Sequence, residues 1–520
     1  MKLNFLATAR TAKVNNMRIK KITLNSDDQV ITKITGEVLR AFHIEVAEDN
    51  ADFEEFQISN DVKGGKVSTR LVVKSSKSTK ILNAADFINF DEKISAEVNR
   101  LIKKNLYRIL TGDLKLRNVP YGIMHGVRPT KIIHRWLRNG FAKTNYGIID
   151  RDKIASRLRA DYLVSYEKSL LLTEVALRQI PILNSTDEKS VSVYIGIPFC
   201  VTRCLYCSFP SNILPSDEKI AEFMKILTID INAVAESIKR YGLKVQNIYI
   251  GGGTPTSLPI KFFNELLEKV TNEFYDGAQE FTVECGRADT IDDEKIVAMK
   301  KFHVNRVCVN PQTMQDKTLE KIGRKHTAAQ VVTAFKKLRD ASNWLINMDL
   351  ILGLPSENLN DVIDSLNKVL ELNPDDVTLH ALALKRGSKL QTQLADEIST
   401  LEDFDLPSDE EVRRMAENAE KILRGKGYVP YYLYRQGYIS GGIENIGYCK
   451  RDAECIYNVQ IMDERQIILG IGTAASTKVP DNKNLRLQTS FNAKDLNTYL
   501  RDFEKYINNR EKVLASVYGI

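Results

Sequence analysis

Short apolar runs alternate with longer amphipathic segments through the middle of the chain. Runs rich in Val, Ile and Leu predict six buried strands, at residues 191–197, 245–250, 280–284, 306–309, 345–352 and 376–384. The segments between them carry apolar residues at helical spacing, most clearly at 217–241 and 260–274. Because strands and helices alternate, we predict an α/β fold with a parallel sheet of about six strand–helix units.

The regions on either side of this alternation follow other patterns. The first region is polar and mixed, with a β-branched strand pattern at 66–74 and helical spacing at 97–110 and 153–180. Near the C-terminus, a predicted helix at 408–424 precedes a tyrosine-rich run and a turn-rich segment at 468–476. We predict three domains: an N-terminal accessory α+β domain at 1–185, a parallel βα domain at 190–400 and a C-terminal region at 405–520.

Composition and charge narrow the class of protein. The 520 residues are 43% hydrophobic and 27% charged, which is ordinary for globular domains. The 74 basic and 67 acidic residues are interspersed, so the net charge of +7 forms no basic block and we expect no nucleic-acid partner. No apolar run approaches the roughly 18 residues that a membrane span needs, and no signal peptide is recognisable. Seven cysteines, a sparse and odd number, then predict a reduced, cytoplasmic protein.

Three of these cysteines stand out by their spacing. Cys200, Cys204 and Cys207 lie four and then three residues apart in the run IPFCVTRCLYCSFP at residues 197–210. Three thiolates on one loop can ligate three irons of a [4Fe–4S] cluster, which leaves one iron open to a small molecule. A structural zinc site usually shows paired ligands, and the nearest downstream histidine, His303, stands alone. We therefore predict an iron–sulfur cluster at these three cysteines.

Candidate functional residues follow the ends of the predicted strands. Cys200 comes after the first strand, Gly251 after the second, and Glu284 closes the third. Parallel βα folds place their active groups at the carboxyl ends of the strands. We therefore expect these residues to share one site.

Four motifs resemble the radical S-adenosylmethionine (SAM) family of oxygen-independent coproporphyrinogen III oxidases. They are YIGIPFC with the cysteine loop (194–207), GGGTPT (251–256), TVE (282–284) and MDLILGLP (348–355). The resemblance covers roughly residues 190–480. It implies a partial (β/α)6 radical SAM barrel, followed by a mainly helical HemN-like region that covers the substrate. The motifs GVRPTK (126–131) and CSFPS (207–211) are most similar to the HemZ-like branch of coproporphyrinogen dehydrogenases.

The resemblance implies two cofactors, a [4Fe–4S] cluster and SAM. The three cysteines would ligate three irons, and SAM would chelate the fourth through its methionine amine and carboxylate. An electron donor such as flavodoxin or ferredoxin would supply the electron that cleaves SAM to methionine and a 5′-deoxyadenosyl radical. In such an enzyme the cofactor supplies the difficult step and the protein positions it.

The resemblance also carries over the residues that would contact SAM. Glycines would permit close backbone approach because they lack a Cβ atom, so a side chain at Gly252 would occupy the space of the methionyl group. Glu284 would accept hydrogen bonds from the amine or the ribose, and the fork of donors of Arg324 suits a carboxylate. The complete predicted set is Tyr194, Tyr206, Gly252, Gly253, Thr254, Glu284, Gln312, Arg324, Asp349 and Ala383. For Tyr206, the alternative to a SAM contact is plain packing. For Tyr194, the alternative is a position in the hydrophobic core.

Two residues are predicted to act in catalysis. Tyr194 matches a family tyrosine near a SAM carboxylate, and Arg435 is the candidate partner of a substrate carboxylate. Arg435 belongs to a cluster with Tyr431, Tyr432 and Tyr434 that could meet a flat tetrapyrrole. Aromatic packing in a small domain is an equally good explanation of this cluster.

The predicted function is the oxidative decarboxylation of coproporphyrinogen III to protoporphyrinogen IX in haem biosynthesis, through a 5′-deoxyadenosyl radical. One departure weakens the carry-over: Phe209 stands where the oxidases have a fourth cysteine and where the haem-chaperone branch has phenylalanine. A haem-binding chaperone of the same family is therefore an alternative. A tRNA-modifying radical SAM enzyme is a second, against which the dispersed charge argues.

Overall fold

The computed structural model describes most of the chain, in two compact units at residues 1–174 and 175–520. The three-domain division stays a prediction. The described residues are 21–25, 29–42, 44–47, 54–75, 78–88, 94–143, 147–383, 388–390, 392, 404–436, 439–481 and 486–519.

The first unit is an α+β structure. Its strands are β1 Lys21–Asn25, β2 Glu45–Ala47, β3 Glu54–Lys63, β4 Lys66–Lys74 and β5 Thr79–Phe87. Its helices are α1 Gln29–Ala41, α2 Ile94–Arg108, α3 Thr130–Arg138, α4 Arg151–Tyr162 and α5 Tyr166–Asn184, the last of which continues into the second unit. The sheet order is β2-β1-β3-β4-β5, and α1 and α2 cover one face with a core that includes Val38, Phe56, Leu71 and Leu106.

One helix predicted in this unit is interrupted. The spacing predicted a single helix over 153–180, but α4 ends at Tyr162 and α5 begins at Tyr166. Leu163 adopts a left-handed conformation with φ of 57°. The carbonyl of Tyr162 accepts from Ile123 N–H and the Ser165 N–H donates to Pro120, so bonds to a neighbouring loop replace helical ones at the break.

The second unit contains an eleven-stranded mixed sheet and a separate short strand pair. Its strands are β6 Ser190–Ile197, β7 Phe199–Cys200, β8 Asn212–Ile213, β9 Lys244–Gly252, β10 Glu280–Val283, β11 Arg306–Cys308, β12 Leu345–Leu352, β13 Asp376–Ala381, β14 Val429–Tyr434, β15 Asn445–Cys449, β16 Ile467–Gly472, β17 Ser476–Asp481 and β18 Arg486–Phe491. The helices are α6 Asp217–Tyr241, α7 Ile260–Phe274, α8 Asp293–Lys301, α9 Asp316–Lys321, α10 Ala328–Ala341, α11 Leu359–Glu371, α12 Asp409–Gly425, α13 Ile456–Asp463 and α14 Leu496–Tyr518.

The centre of the sheet confirms the predicted α/β fold. The order is β14-β15-β13-β12-β11-β10-β9-β6-β16-β17-β18, and β6 and β9 to β13 form six neighbouring parallel strands. The intervening helices at 217–241 and 260–274 are confirmed at the predicted bounds. The strands are apolar because parallel strands joined by helices are covered on both faces.

The C-terminal region extends this sheet at both ends. Strands β14 and β15 join one end and β16 to β18 the other, so the prediction of a mainly helical region is incomplete. The segment predicted to be turn-rich contains β16, which pairs in parallel with β6. Its glycines serve close packing, because a Cβ on Gly470 would lie 2.6 Å from the Ser476 backbone and one on Gly472 would lie 2.5 Å from the Gly196 carbonyl.

Among the described residues, no helix is both long and apolar enough to cross a bilayer.

Candidate active site at the carboxyl ends of the parallel strands

A cavity of about 570 Å³ runs from the carboxyl ends of the parallel strands into the interior of the partial barrel. It brings together all the predicted site residues except one. Those lining it are Tyr194, Cys200, Cys204, Tyr206, Cys207, Gly252, Gly253, Thr254, Glu284, Gln312, Arg324, Asp349 and Ala383. Arg435 follows β14 with a half-buried side chain and is not part of this lining.

We call one part of the cavity the cluster end, formed by Cys200, Cys204, Cys207, Arg287 and Arg324. The loop that carries the cysteines is closed by the parallel pair of β7 with β8. Main-chain hydrogen bonds hold its base against the glycine turn, with Gly253 N–H to the Ile197 carbonyl and Thr254 N–H to the Phe199 carbonyl, both 2.7 Å. The three thiols are therefore presented to the cavity by backbone that is fixed on both sides.

The cysteines fit the iron–sulfur cluster expected from the sequence. All three thiols are free, and burial raises the pKa of Cys200 and Cys207. In the part of the chain that the structure describes, no three His, Cys, Asp or Glu side chains converge on a single ion. A cubane does not require convergence, because each cysteine ligates a different iron. The buried guanidinium of Arg287 lies 3.8 Å from Cys204 Sγ, so a positive charge borders the three thiols.

The glycine turn is packed against the chain itself. Gly252 has φ of +111°, and a Cβ there would lie 2.8 Å from the Ile197 carbonyl oxygen. A Cβ on Gly253 would lie 2.5 Å from the Phe199 carbonyl and 3.0 Å from Cys200 Sγ. An added side chain at Gly252 would therefore first meet the backbone of β6. The expectation that it would also fill ligand space stays a prediction. These glycines set the position of the cysteine loop.

Glu284 is oriented by two donors at the end of β10. Its Oε2 accepts from Gly252 N–H at 3.1 Å, and its Oε1 accepts from the hydroxyl of Tyr249. Burial raises the pKa of Glu284 to about 7 against these hydrogen bonds, and the nearby charge of Asp349 adds to the rise. The carboxyl group therefore changes charge near neutral pH.

Arg324 and Gln312 offer unused polar atoms to a ligand. Arg324 donates to the carbonyls of Asn310 and Gly286 and, at 3.3 Å, to the hydroxyl of Tyr206. Its Nε and the Oε1 of Gln312 are buried without a hydrogen-bond partner among the described residues. Gln312 also adopts a φ of 69°, which is uncommon outside glycine. Orphaned polar atoms and a strained backbone are typical of a binding site.

The other part of the cavity, the tyrosine end, is formed by Tyr194, Tyr249, Tyr432, Tyr434 and Tyr457. The rings of Tyr249 and Tyr457 stack with centroids 4.4 Å apart, and Tyr194 stacks on both at 6.1 and 5.9 Å. Burial raises the pKa of Tyr194 well above its ordinary value, so its hydroxyl stays neutral. Tyr194 is thus both a partly buried aromatic packed against the core and a residue of the cavity wall.

The predicted cluster around Arg435 divides between core and cavity. Tyr431 is fully buried and donates to Asp376 at 2.6 Å, so it is a core residue. Tyr432 and Tyr434 line the cavity, and the Tyr434 hydroxyl lies 3.4 Å from Nδ1 of His380. Packing and cavity formation therefore both explain this aromatic run.

Sequence reasoning missed several polar residues of the barrel interior. His380 Nε2 lies 3.5 Å from the Asp349 carboxylate, whose other oxygen accepts from Asn347 at 2.7 Å. A usable signal was present, because polar residues alternate along otherwise apolar strands and so share one face. The missed residues are Asn347 in β12 and Asp376, Thr378 and His380 in β13, on the same face as the predicted residue Asp349.

Comparison with known proteins relates this site to one superfamily. The sequence model of the Radical SAM superfamily matches residues 194–369. The chain is 36% identical over 404 residues to the oxygen-independent coproporphyrinogen-III oxidase-like protein HemZ of Bacillus subtilis, covering 76% of this chain and 77% of that protein. It is 28% identical over 300 residues to the heme chaperone HemW of Escherichia coli, covering 57% and 72%.

A solved structure supports the same fold. Coproporphyrinogen III oxidase (HemN) from Escherichia coli, a radical SAM enzyme, matches with a TM-score of 0.51 and 20% identity, covering 64% of this chain and 72% of that one. The chain therefore belongs to the radical SAM superfamily, which uses a [4Fe–4S] cluster and S-adenosylmethionine, and within it to the HemZ-like family of coproporphyrinogen oxidase relatives.

Proposed function

We propose that the protein catalyses the oxygen-independent oxidative decarboxylation of coproporphyrinogen III to protoporphyrinogen IX. The observation that carries the proposal is the continuity of the cavity from the three cysteines to the tyrosine end. A reactive group formed at the cluster end would meet a macrocyclic substrate at the tyrosine end without crossing bulk water. The name of the Bacillus subtilis relative, an oxidase-like protein, agrees with this substrate class.

In this proposal, some residues of the chain bind SAM and others bind the substrate. Bound SAM would supply hydrogen-atom abstraction from a propionate side chain, and loss of CO2 with transfer of one electron to a one-electron acceptor would leave a vinyl group. Arg324 and Gln312 would bind the polar groups of SAM with the buried atoms described above. Glu284, held by Tyr249 and Gly252, would accept from its amine or ribose. Two such rounds give the divinyl product.

Substrate carboxylates need cationic partners, since an unpaired buried charge is costly. Arg435 directly follows the lining residue Tyr434 at the end of β14. We propose it as the cationic partner of one propionate.

A haem-binding chaperone is the second candidate. Phe209 lines the cavity and is 57% exposed. It provides an apolar side chain at the position where the oxidases carry a cysteine. Several of the curated relatives are heme chaperones. An apolar mouth on the cavity suits stacking of a finished porphyrin.

Anaerobic incubation with SAM, a reductant and coproporphyrinogen distinguishes the two candidates. Decarboxylation predicts CO2 release in step with 5′-deoxyadenosine and a tetrapyrrole with two vinyl groups. Cys204→Ala should abolish both products, whereas Cys449→Ala, at a buried cysteine outside the cavity lining, should retain them. Stoichiometric haem binding with no CO2 would instead assign the chaperone function.

We also propose flavodoxin or ferredoxin as the electron donor and the cytoplasm as the compartment. A cluster with one iron lacking a protein ligand requires a low-potential one-electron donor and surroundings that keep thiols reduced. Reduction of the cluster by purified flavodoxin tests the first point.

A further inference from the structure

We propose that Arg287 is a positioning residue that, together with Asp289, fixes the cysteine loop and sets the reduction potential of the cluster. The inference concerns the cluster alone and does not depend on which tetrapyrrole, if any, the protein converts.

Arg287 reaches the cysteine loop from the segment that follows β10. Its Nη1 lies 3.8 Å from Cys204 Sγ and donates to Thr202 Oγ1 at 2.8 Å. The Thr202 hydroxyl in turn donates to the Gly323 carbonyl at 3.0 Å. One guanidinium thereby connects the loop that bears the cluster ligands to the ends of β10 and α9.

Asp289 completes the arrangement on the other side of the guanidinium. Two parallel hydrogen bonds, Nε–Oδ1 at 2.9 Å and Nη2–Oδ2 at 2.8 Å, join it to Arg287. The side chains of Arg287 and Asp289 are 3% and 17% exposed. Burial opposes ionisation of Asp289, but hydrogen bonds with His326 and Arg287 outweigh it and hold its pKa well below the usual range. The pair is therefore ionised at neutral pH.

The two charges act on the cluster in opposite directions. Reduction adds one negative charge to a cluster that is already bound by thiolates. The nearby cation of Arg287 stabilises that added charge in a site of low dielectric, and the carboxylate of Asp289 partly offsets it. Removing the cation should disfavour reduction, whereas removing the carboxylate should favour it. A merely structural pair would not shift the potential with opposite signs.

The test is a redox titration of the reconstituted cluster, monitored by electron paramagnetic resonance without SAM or substrate. Arg287→Gln should lower the midpoint potential by about 59 mV, a tenfold change in a one-electron equilibrium, and Asp289→Asn should raise it. Arg287→Lys, which keeps the charge, should lie between wild type and Arg287→Gln. The matched control is Arg339→Gln, because Arg339 pairs with Asp375 at 2.7 Å outside the cavity lining.

A second readout uses the protein before cluster assembly. Loss of the Arg287 contacts should release the loop, so alkylation of Cys204 in Arg287→Gln should be several-fold faster than in wild type, with unchanged alkylation in Arg339→Gln. If Arg287→Gln holds too little iron to titrate, Arg287→Lys and Asp289→Asn still decide the question. Unchanged potentials, or shifts of the same sign in Arg287→Gln and Asp289→Asn, would overturn the proposal.

Discussion

The cluster end and the tyrosine end of the cavity differ in charge and in origin. The cluster end carries two buried guanidinium groups, Arg287 and Arg324, beside three thiols. The tyrosine end has neutral hydroxyls and faces the carboxyl groups of Glu284, Asp349 and Asp376. Burial raises the pKa of Asp376 to about 7, against the charge of Arg306. One end suits an anionic cofactor assembly, and the other suits a ring with polar N–H groups.

The two ends also differ in where along the chain their residues lie. The cluster end comes from residues 200–324, within the stretch that matches the superfamily. The tyrosine end also needs Tyr432, Tyr434 and Tyr457 from the C-terminal region. Proteins named as oxidase-like and as chaperones both match this chain. The cluster end is therefore encoded within one stretch of the chain, whereas the tyrosine end depends on long-range assembly.

The largest expected effect is the loss of iron from the cluster end. Cys204→Ala should reduce the iron content from about four atoms per chain to below about one, because three thiolates hold the cluster. Cys449→Ala should keep the iron, and it is a cleaner control than Cys455, which lines the cavity and bonds Glu280. Iron analysis of anaerobically purified protein decides it. Equal loss in both variants would refute the three-cysteine site.

The next effect tests the close packing of the glycine turn. Gly253→Ala would place a Cβ 2.5 Å from the Phe199 carbonyl and 3.0 Å from Cys200 Sγ. We expect a stability loss on the order of 1–3 kcal/mol and reduced cluster loading. Gly425→Ala, where no atom lies within 4 Å of an added Cβ, should leave both unchanged. Chemical unfolding and iron content measure these effects, and full loading of Gly253→Ala would contradict the packing argument.

A smaller effect is the pH dependence of SAM binding through Glu284, which lies between the two ends. Glu284 is neutral below its pKa of about 7 and ionised above it. If Glu284 accepts hydrogen bonds from SAM, the affinity for SAM should rise with pH. The rise should be at most about tenfold between pH 6 and pH 8, since the ionised fraction of Glu284 grows by that factor. Equilibrium binding of SAM measures this. Glu284→Gln should bind SAM more weakly at pH 8 and lose this part of the pH dependence. If the SAM affinity of that variant followed the same pH profile as the wild type, Glu284 would not be the acceptor.

The smallest expected effect is confined to the substrate. Arg435→Ala should raise the half-saturating concentration of coproporphyrinogen by about tenfold, as loss of a charged hydrogen bond would, with iron content and SAM affinity unchanged. Arg451→Ala, whose side chain is 91% exposed, is the control. Steady-state kinetics test this. Altered SAM binding in Arg435→Ala would contradict a role confined to the substrate.

The sequence predicted the barrel and the cluster end better than the tyrosine end, for physical reasons. Buried parallel strands are continuous apolar runs, and the cysteine loop is one short segment, so both are visible locally. The sequence does not predict strand β16, because Gly470 and Gly472 indicate a turn, whereas in the structure they allow close backbone approach. Tyr457 and Arg287 reach the cavity only through tertiary contacts, so no local pattern identifies them.

The most direct test of the account follows a hydrogen atom from one end of the cavity to the other. Coproporphyrinogen III deuterated on its propionate side chains should be incubated anaerobically with SAM and reductant, and the 5′-deoxyadenosine analysed by mass spectrometry. The account predicts one deuterium in the 5′-deoxyadenosine, formed in step with CO2. Unlabelled 5′-deoxyadenosine produced at the same rate with and without coproporphyrinogen would contradict it.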